Sequence, residues 1–206
     1  MGLSFGLRCL IIPNLQTKFD WTYVYGKVKE DIPPNAPEAK GSEVMITMFA
    51  DANLFHDRVT GHSDTGLLMM LNGTTIDWFS KKQNCVETAT YGSEFVAARV
   101  ATDKIVEMRY MLRMLGVPMK GPSFMFGDNL AVVNSASIPD DTLKKRHNAL
   151  SYHRVREAIA AGVLKFYHID GNDNPADVLT KFLPRQKWYP LMKPILYWPN
   201  DEVINH

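Results

Sequence analysis

Four acidic residues occupy positions from which side chains act rather than merely face solvent. Asp51 closes the apolar run Glu43–Asp51, and Asp128 follows the apolar run Ser123–Phe126 after a single glycine. Glu94 lies four residues before Ala98, at the head of a series through Ala101, Ile105, Met108, Leu112 and Leu115. Steps of three and four trace one helical face, which points Glu94 at whatever that face covers. Asp177 sits just after Pro175, in the first turn of an expected helix. Strand ends and helix starts are where α/β sheets gather their sites. Carboxylates meeting in one cleft repel each other unless divalent cations lie between them. An all-oxygen set suits Mg²⁺ or Mn²⁺ rather than zinc. Two such ions ~4 Å apart would activate a water and stabilise the leaving oxygen in phosphodiester cleavage.

Taken singly, the acids have plainer explanations. An Asp at a strand end is commonly a turn or cap residue, and Asp177 would favour the positive end of a helix whatever its function. Glu94 has no such excuse, because it stands on a buried stripe. The joint arrangement carries the functional reading.

The elements that must position these acids follow from the pattern of apolar residues. Glu43–Asp51 is nearly continuous, as in a strand covered on both faces. Gly66–Leu71 and Thr74–Ser80 make a second and third strand around Asn72-Gly73, a tight hairpin turn. A long helix is expected from about Thr88 to Leu115, ended by Gly116 and Pro118. Strand four is Ser123–Phe126, and Ala131-Val132-Val133 begins a brief helix. A second long helix is expected from N-caps at Asp140 or Asp141 to Gly162. Val163–His168 is the fifth strand, and a last helix starts at Pro175. Before all this, the aromatic cluster Phe19–Tyr25 reads as a strand or hairpin arm, and Ile32–Pro37 as an extended linker. The expected division is an extension at 1–40, an α/β domain at 41–190 and a tail at 191–206.

Composition narrows the field of partners. The 206 residues carry 23 Lys plus Arg against 22 Asp plus Glu, a net charge of +1. A basic coat for nucleic acid is excluded, so a polyanion must be held by local patches or by metal. Cys9 and Cys85 lack metal or redox spacing, which fits a reducing compartment. No apolar run approaches the ~18 residues of a membrane span. The opening MGLSFGLRCLIIP does not read as a signal peptide, since Arg8 interrupts it and no small-residue cleavage site follows. Gly6 spoils its match to a myristoylation signal.

The order βββαβαβα, with acids after strand 1, in the first long helix, after strand 4 and in the last helix, resembles ribonuclease H. Phe49-Ala50-Asp51-Ala52-Asn53, Ile76-Asp77-Trp78-Phe79-Ser80-Lys81-Lys82-Gln83 and Gly92-Ser93-Glu94-Phe95 are similar to the ribonuclease H of copia-type retrotransposon polyproteins. So are Gly127-Asp128-Asn129, Lys145-Arg146-His147, Tyr152–Glu157 and Asn174–Lys181. The similarity covers about residues 42–185, and Asp20–Pro37 resembles the tail joining reverse transcriptase to ribonuclease H in such polyproteins.

That resemblance implies a ribonuclease H-like α/β fold: a five-stranded mixed sheet, order 3-2-1-4-5, flanked by helices. It implies hydrolysis of the RNA strand of an RNA–DNA hybrid with two Mg²⁺ ions, Mn²⁺ serving as substitute. Asp51, Glu94, Asp128 and Asp177 carry over as the catalytic and metal-binding set. A loop histidine precedes the fourth acid in cellular and retroviral members; here that loop offers Asp170, with His168 slightly earlier, and neither is assigned. The expected partners are an RNA–DNA hybrid and a reverse transcriptase domain of the same polyprotein, with no membrane. The expected location is a cytoplasmic retroelement particle or the nucleus. Alternatives are a catalytically inactive or domesticated binding module of the same fold, and a junction nuclease acting on DNA.

Around these acids, Lys81, Lys82 and Gln83 after strand 3, with Lys145, Arg146 and His147 before the second long helix, are candidates for phosphate contacts. Asn129, next to Asp128, joins them. His147 and His153 lie on different helix faces and make no metal pair. Ser63, Ser80 and Ser151 have no His/Asp partners that would make a nucleophilic triad.

Overall fold

Strand β1 (Ile46–Asn53) is buried along nearly its whole length on both faces, which is why its sequence does not alternate. This is seen in a computed structural model, which describes residues 19–55, 57, 59–143, 146–193 and 195–196. The opening segment read above for targeting signals lies outside these residues. β1 pairs antiparallel with β2 (Asp64–Leu71), and β2 pairs antiparallel with β3 (Thr74–Lys82). Asn72 and Gly73 turn the hairpin with φ of 50° and 84°, the left-handed pair of a type I′ turn. β4 (Ser123–Gly127) lies parallel to β1, and β5 (Leu164–His168) lies parallel to β4. The order is β3-β2-β1-β4-β5, as expected.

One face of the sheet is covered by α2 (Thr90–Met114), α3 (Leu130–Ser137) and α4 (Ala149–Ala160). Ile46, Met48 and Met125 meet Phe95, Ala98, Ala101 and Ile105 there, with Val133 and Val155 completing the layer. The other face is smaller: Phe49, Leu68 and Met70 pack under Ile169 and Ala176 of the segment that carries Asp177. The predicted stripe of α2 holds from Glu94 through Leu112, but Leu115 is 70% exposed. The helix stops at Met114 and Gly116 turns the chain away with φ of 69°.

Three elements differ from expectation. The aromatic cluster is not a strand: Thr22–Tyr25 form α1, a single helical turn, because the Asp20 carboxylate accepts from the Thr22 amide (2.9 Å) and hydroxyl (2.6 Å). Its rings lie on α4, with Trp21 4.9 Å from the Arg156 guanidinium and the Tyr25 hydroxyl 2.8 Å from His153 Nδ1. The helix expected from Asp140 begins only at Ala149, after a 3₁₀ turn at Arg146–Asn148. Buried Arg156 donates to the carbonyls of Ser135, near the end of α3, and of Ile138 and Pro139 just beyond it. The Asp140 carboxylate accepts from the Tyr23 hydroxyl, and Asp141 from the Thr142 amide rather than from a helix start. Asp177 lies in a 3₁₀ turn, Pro175–Leu179, and a separate α5 (Arg185–Met192) follows. The Asn174 side chain caps that turn through the Ala176 amide and donates to the Ala50 carbonyl at 3.0 Å.

Candidate metal centre

Parallel neighbours place their carboxyl ends side by side, so the end of β1 brings Asp51 beside Asp128, which directly follows β4. Glu94, in the second turn of α2, reaches the same point from above the sheet. One carboxylate oxygen from each of Asp51, Glu94 and Asp128 lies within 4.8 Å of the others. Asp51 and Glu94 are buried and Asp128 is half-buried. Burial, followed by the charges of Asp51 and Asp128, pushes the Glu94 carboxyl well above the usual range, against the opposing Lys181. Burial and Asp51 likewise raise Asp128. A site that gathers three carboxyl groups, two of them with the ionised form disfavoured by burial and by neighbouring acids, is suited to a cation of hard, oxygen-loving type.

Asp177 stands just outside this triad. Lys181 lies between: its Nζ is 3.1 Å from Asp51 Oδ1 and 2.8 Å from Asp177 Oδ1. Burial pushes Asp177 up to about 6, although its bond to Lys181 works in the other direction. Burial alone would lower the Lys181 amine, but the charges of Asp51 and Asp177 outweigh it and hold the ammonium form. The second oxygen of Asp51 accepts a hydrogen bond from the Thr180 hydroxyl. Both oxygens of Asp51 are thus held by the Thr180-Lys181 dipeptide. That approach needs Gly66, which pairs with Asp51 across the β1–β2 ladder. A Cβ there would lie 2.6 Å from Thr180 Cγ2 and 2.9 Å from the Ala176 carbonyl oxygen. An open cleft of about 550 Å³ lies over the site, lined by Asn53, Thr90, Glu94, Asp128, Asn129 and Lys181.

The expected phosphate contacts divide. Lys81, Lys82, Arg146 and His147 are exposed, while Lys145 lies outside the described residues. Lys82 pairs with Asp57 at 2.6 Å, and His147 Nε2 is 3.0 Å from the buried Glu87 carboxylate. Asn129 caps α3 through its side-chain oxygen and also lines the cleft. Gln83 is a correction. It is 5% exposed and spends its amide on Thr65 Oγ1 (3.0 Å) and the Ser93 carbonyl (2.9 Å), tying the sheet to the start of α2. No surface is left for phosphate. Lys181 and Thr180 escaped assignment, although Lys181 stands four residues after Asp177, a spacing that returns a side chain to the same side of a helical turn. Glu87 carried no sequence signal: nothing in its local pattern marks it as buried.

No family model matches the chain. It is 30% identical over 148 residues to the "Retrovirus-related Pol polyprotein from transposon TNT 1-94" of Nicotiana tabacum, covering 72% of this chain and 11% of that protein. It is 27% identical over 146 residues to the Pol polyproteins from transposons RE2 and RE1 of Arabidopsis thaliana, covering 71% of this chain and 10% of each. The chain therefore spans about a tenth of the length of the curated relatives it matches. Among solved structures, the N-terminal RNase H domain of rv2228c from Mycobacterium tuberculosis superposes with a TM-score of 0.52 at 13% identity, over 73% of this chain and 98% of that one. LC11-RNase H1, solved in complex with an RNA/DNA hybrid, superposes with a TM-score of 0.52 at 16% identity, over 66% and 93%. At these identities the structures speak to the fold.

Proposed function

Homologues of this chain are Pol polyproteins of plant copia-type transposons and its fold is that of ribonuclease H domains; on that premise we propose that it hydrolyses the RNA strand of RNA–DNA hybrids. The observation that carries this reading is the convergence of Asp51, Glu94 and Asp128 from three elements on one point beneath an open cleft. A pure binding module has no need to gather buried negative charge against a polyanion.

In this proposal the three acids, with Asp177 beside them, hold two Mg²⁺ ions, or Mn²⁺ in their place. Bound there, such ions supply a water of lowered pKa and neutralise charge on the leaving oxygen. The protein's part is orientation. Thr180 fixes the Asp51 carboxylate, and the rigid pair of parallel strands sets Asp51 against Asp128. Exposed Lys81 and Arg146 would contact phosphates in this reading, which positions a duplex without reading its sequence. Selection of RNA rests on the 2′-hydroxyl of the cut strand. We assign the catalytic unit to residues 41–190 and read it as the ribonuclease H segment of a longer polyprotein that also supplies a reverse transcriptase.

One gel tests this. Labelled RNA–DNA hybrid, double-stranded RNA and double-stranded DNA are each incubated with Mg²⁺ and with EDTA. Cleavage of the RNA strand of the hybrid, in Mg²⁺ alone, is expected. Comparable cutting of the DNA duplex would point to the junction-nuclease reading, and retention of hybrid without products to a binding module.

A further inference from the structure

Lys181 is unusual company for a metal site. Among the described residues, no other Lys or Arg is bonded to any of the four acids. Its ammonium bridges Asp51 and Asp177, and its side chain keeps 32% of its surface exposed at the edge of the cleft. Thr180, its neighbour, is buried and holds the other oxygen of Asp51. The dipeptide therefore combines a fixed anchor with an arm that has room to move.

Four acids drawn together need positive charge whether or not metal is present. With no divalent cation, the nearest source is the Lys181 amine, which takes one oxygen from each of two acids. Asp51 and Asp177 are among the acids assigned above to metal, and carboxylates bonded to an ammonium cannot serve both cations at full strength. From this geometry we infer that Lys181 is a resident, displaceable counter-ion, holding Asp51 and Asp177 together in the metal-free protein and releasing them when divalent cations bind. The inference rests on the metal reading above. It assigns Lys181 as a positioning residue whose ammonium competes with metal, in contrast to a permanent structural salt bridge.

The test uses the full chain and reads Lys181 directly. Amines are acetylated with N-hydroxysuccinimidyl acetate in EDTA and in saturating Mn²⁺, and modification of Lys181 is quantified by mass spectrometry against exposed Lys165. Several-fold greater modification of Lys181 in Mn²⁺ is expected, with Lys165 unchanged. Alongside, Mn²⁺ binding is measured by calorimetry, and melting is followed in EDTA and in Mn²⁺, for the parent, Lys181→Gln and Lys181→Arg. Lys181→Gln should melt lower than the parent in EDTA, gain more from Mn²⁺, and bind it about tenfold tighter or more. Lys181→Arg, which keeps the charge, should stay near the parent. Lys181 labelling that ignores the metal, or unchanged or weaker Mn²⁺ binding in Lys181→Gln, overturns the inference while leaving the metal centre standing. Absence of Mn²⁺ binding in parent and variants alike overturns the metal centre itself. Should Lys181→Gln fail to fold, the labelling of the parent protein decides.

Discussion

Glu30 and Arg109 face each other across 79 residues of chain through two parallel hydrogen bonds, Nε to Oε1 at 2.6 Å and Nη2 to Oε2 at 2.8 Å. The Arg109 side chain is 4% exposed and also donates to the Gly121 carbonyl and Ser123 Oγ. Arg113 joins the same carboxylate at 2.6 Å. The proline-rich stretch before Gly41 is thereby fastened to α2, and the chain continues along that helix to the Lys40 amide, which bonds the Gly116 carbonyl at 2.9 Å.

Glu30→Gln should cost about 2–4 kcal/mol of stability, since it leaves two guanidinium groups facing a neutral amide. The pH dependence has a definite sign. Burial works to raise the Glu30 carboxyl, but Arg109 and Arg113 prevail and hold it below its usual 4.5. Its stabilising contribution is therefore complete above about pH 4.5 and is lost as pH falls through its lower value in the folded protein. Urea unfolding at pH 7 and at pH 3 checks both: parent and variant should differ at the first and approach each other at the second.

Asp128→Asn should preserve the fold and reduce cleavage of the hybrid by about a hundredfold or more, since it removes a charged ligand with little change in shape. A purified variant that melts like the parent and cuts as fast would show that Asp128 is not part of the reacting centre.

Gly66→Ala probes the approach of the Asp177 segment to β2. Its new methyl would meet Thr180, Ala176 and Leu179 at 2.6 to 3.0 Å, two of these contacts being to backbone or to a Cβ that cannot swing aside. A loss of about 1–3 kcal/mol is expected, together with reduced cleavage, because the hydroxyl that fixes Asp51 moves with the turn. Melting temperature and initial rate, measured on one preparation, should fall together.

Gln83→Ala and Lys81→Ala separate structure from phosphate contact. Gln83→Ala strands Thr65 and Ser93 and should cost about 1–3 kcal/mol of stability, without altering the salt slope of hybrid binding. Lys81→Ala should leave stability unchanged and reduce that slope by about 1. Binding measured between 50 and 200 mM salt, beside unfolding curves, reads both.

The site was legible where local periodicity fixes direction. A 3.6-residue repeat pointed Glu94 at the sheet, and two apolar strands ending in acids put Asp51 and Asp128 at the same end of the central strands. What escaped was set by contacts distant in sequence. The Asp140 carboxylate accepts from the Tyr23 hydroxyl, 117 residues away, and Asp141 accepts from the amide of the next residue, so neither serves as the helix cap that its type suggests. Gln83 looked like a surface amide beside two lysines, but it is buried and bonds Thr65 of β2 and Ser93 of α2. The aromatics of 19–25 have strand-like composition, yet Asp20 turns them into a helix facing α4. Glu30 and Arg109 meet through tertiary packing that no window of sequence contains.

The bond from Asn174 to the Ala50 carbonyl joins residues 124 apart, and those from Thr180 and Lys181 to Asp51 span 129 and 130. These closures give the reacting centre an order of assembly. A nascent chain ending at Asp173 already contains all five strands and the three converging acids. It lacks both groups that grip Asp51 and the side chain that braces β1 from the far side. Such closures of high sequence separation come late in folding, so during synthesis the centre stays incomplete until the ribosome has released residue 181. The proposed metal centre is therefore gripped on both oxygens of Asp51 only once the segment 174–181 has docked against β1.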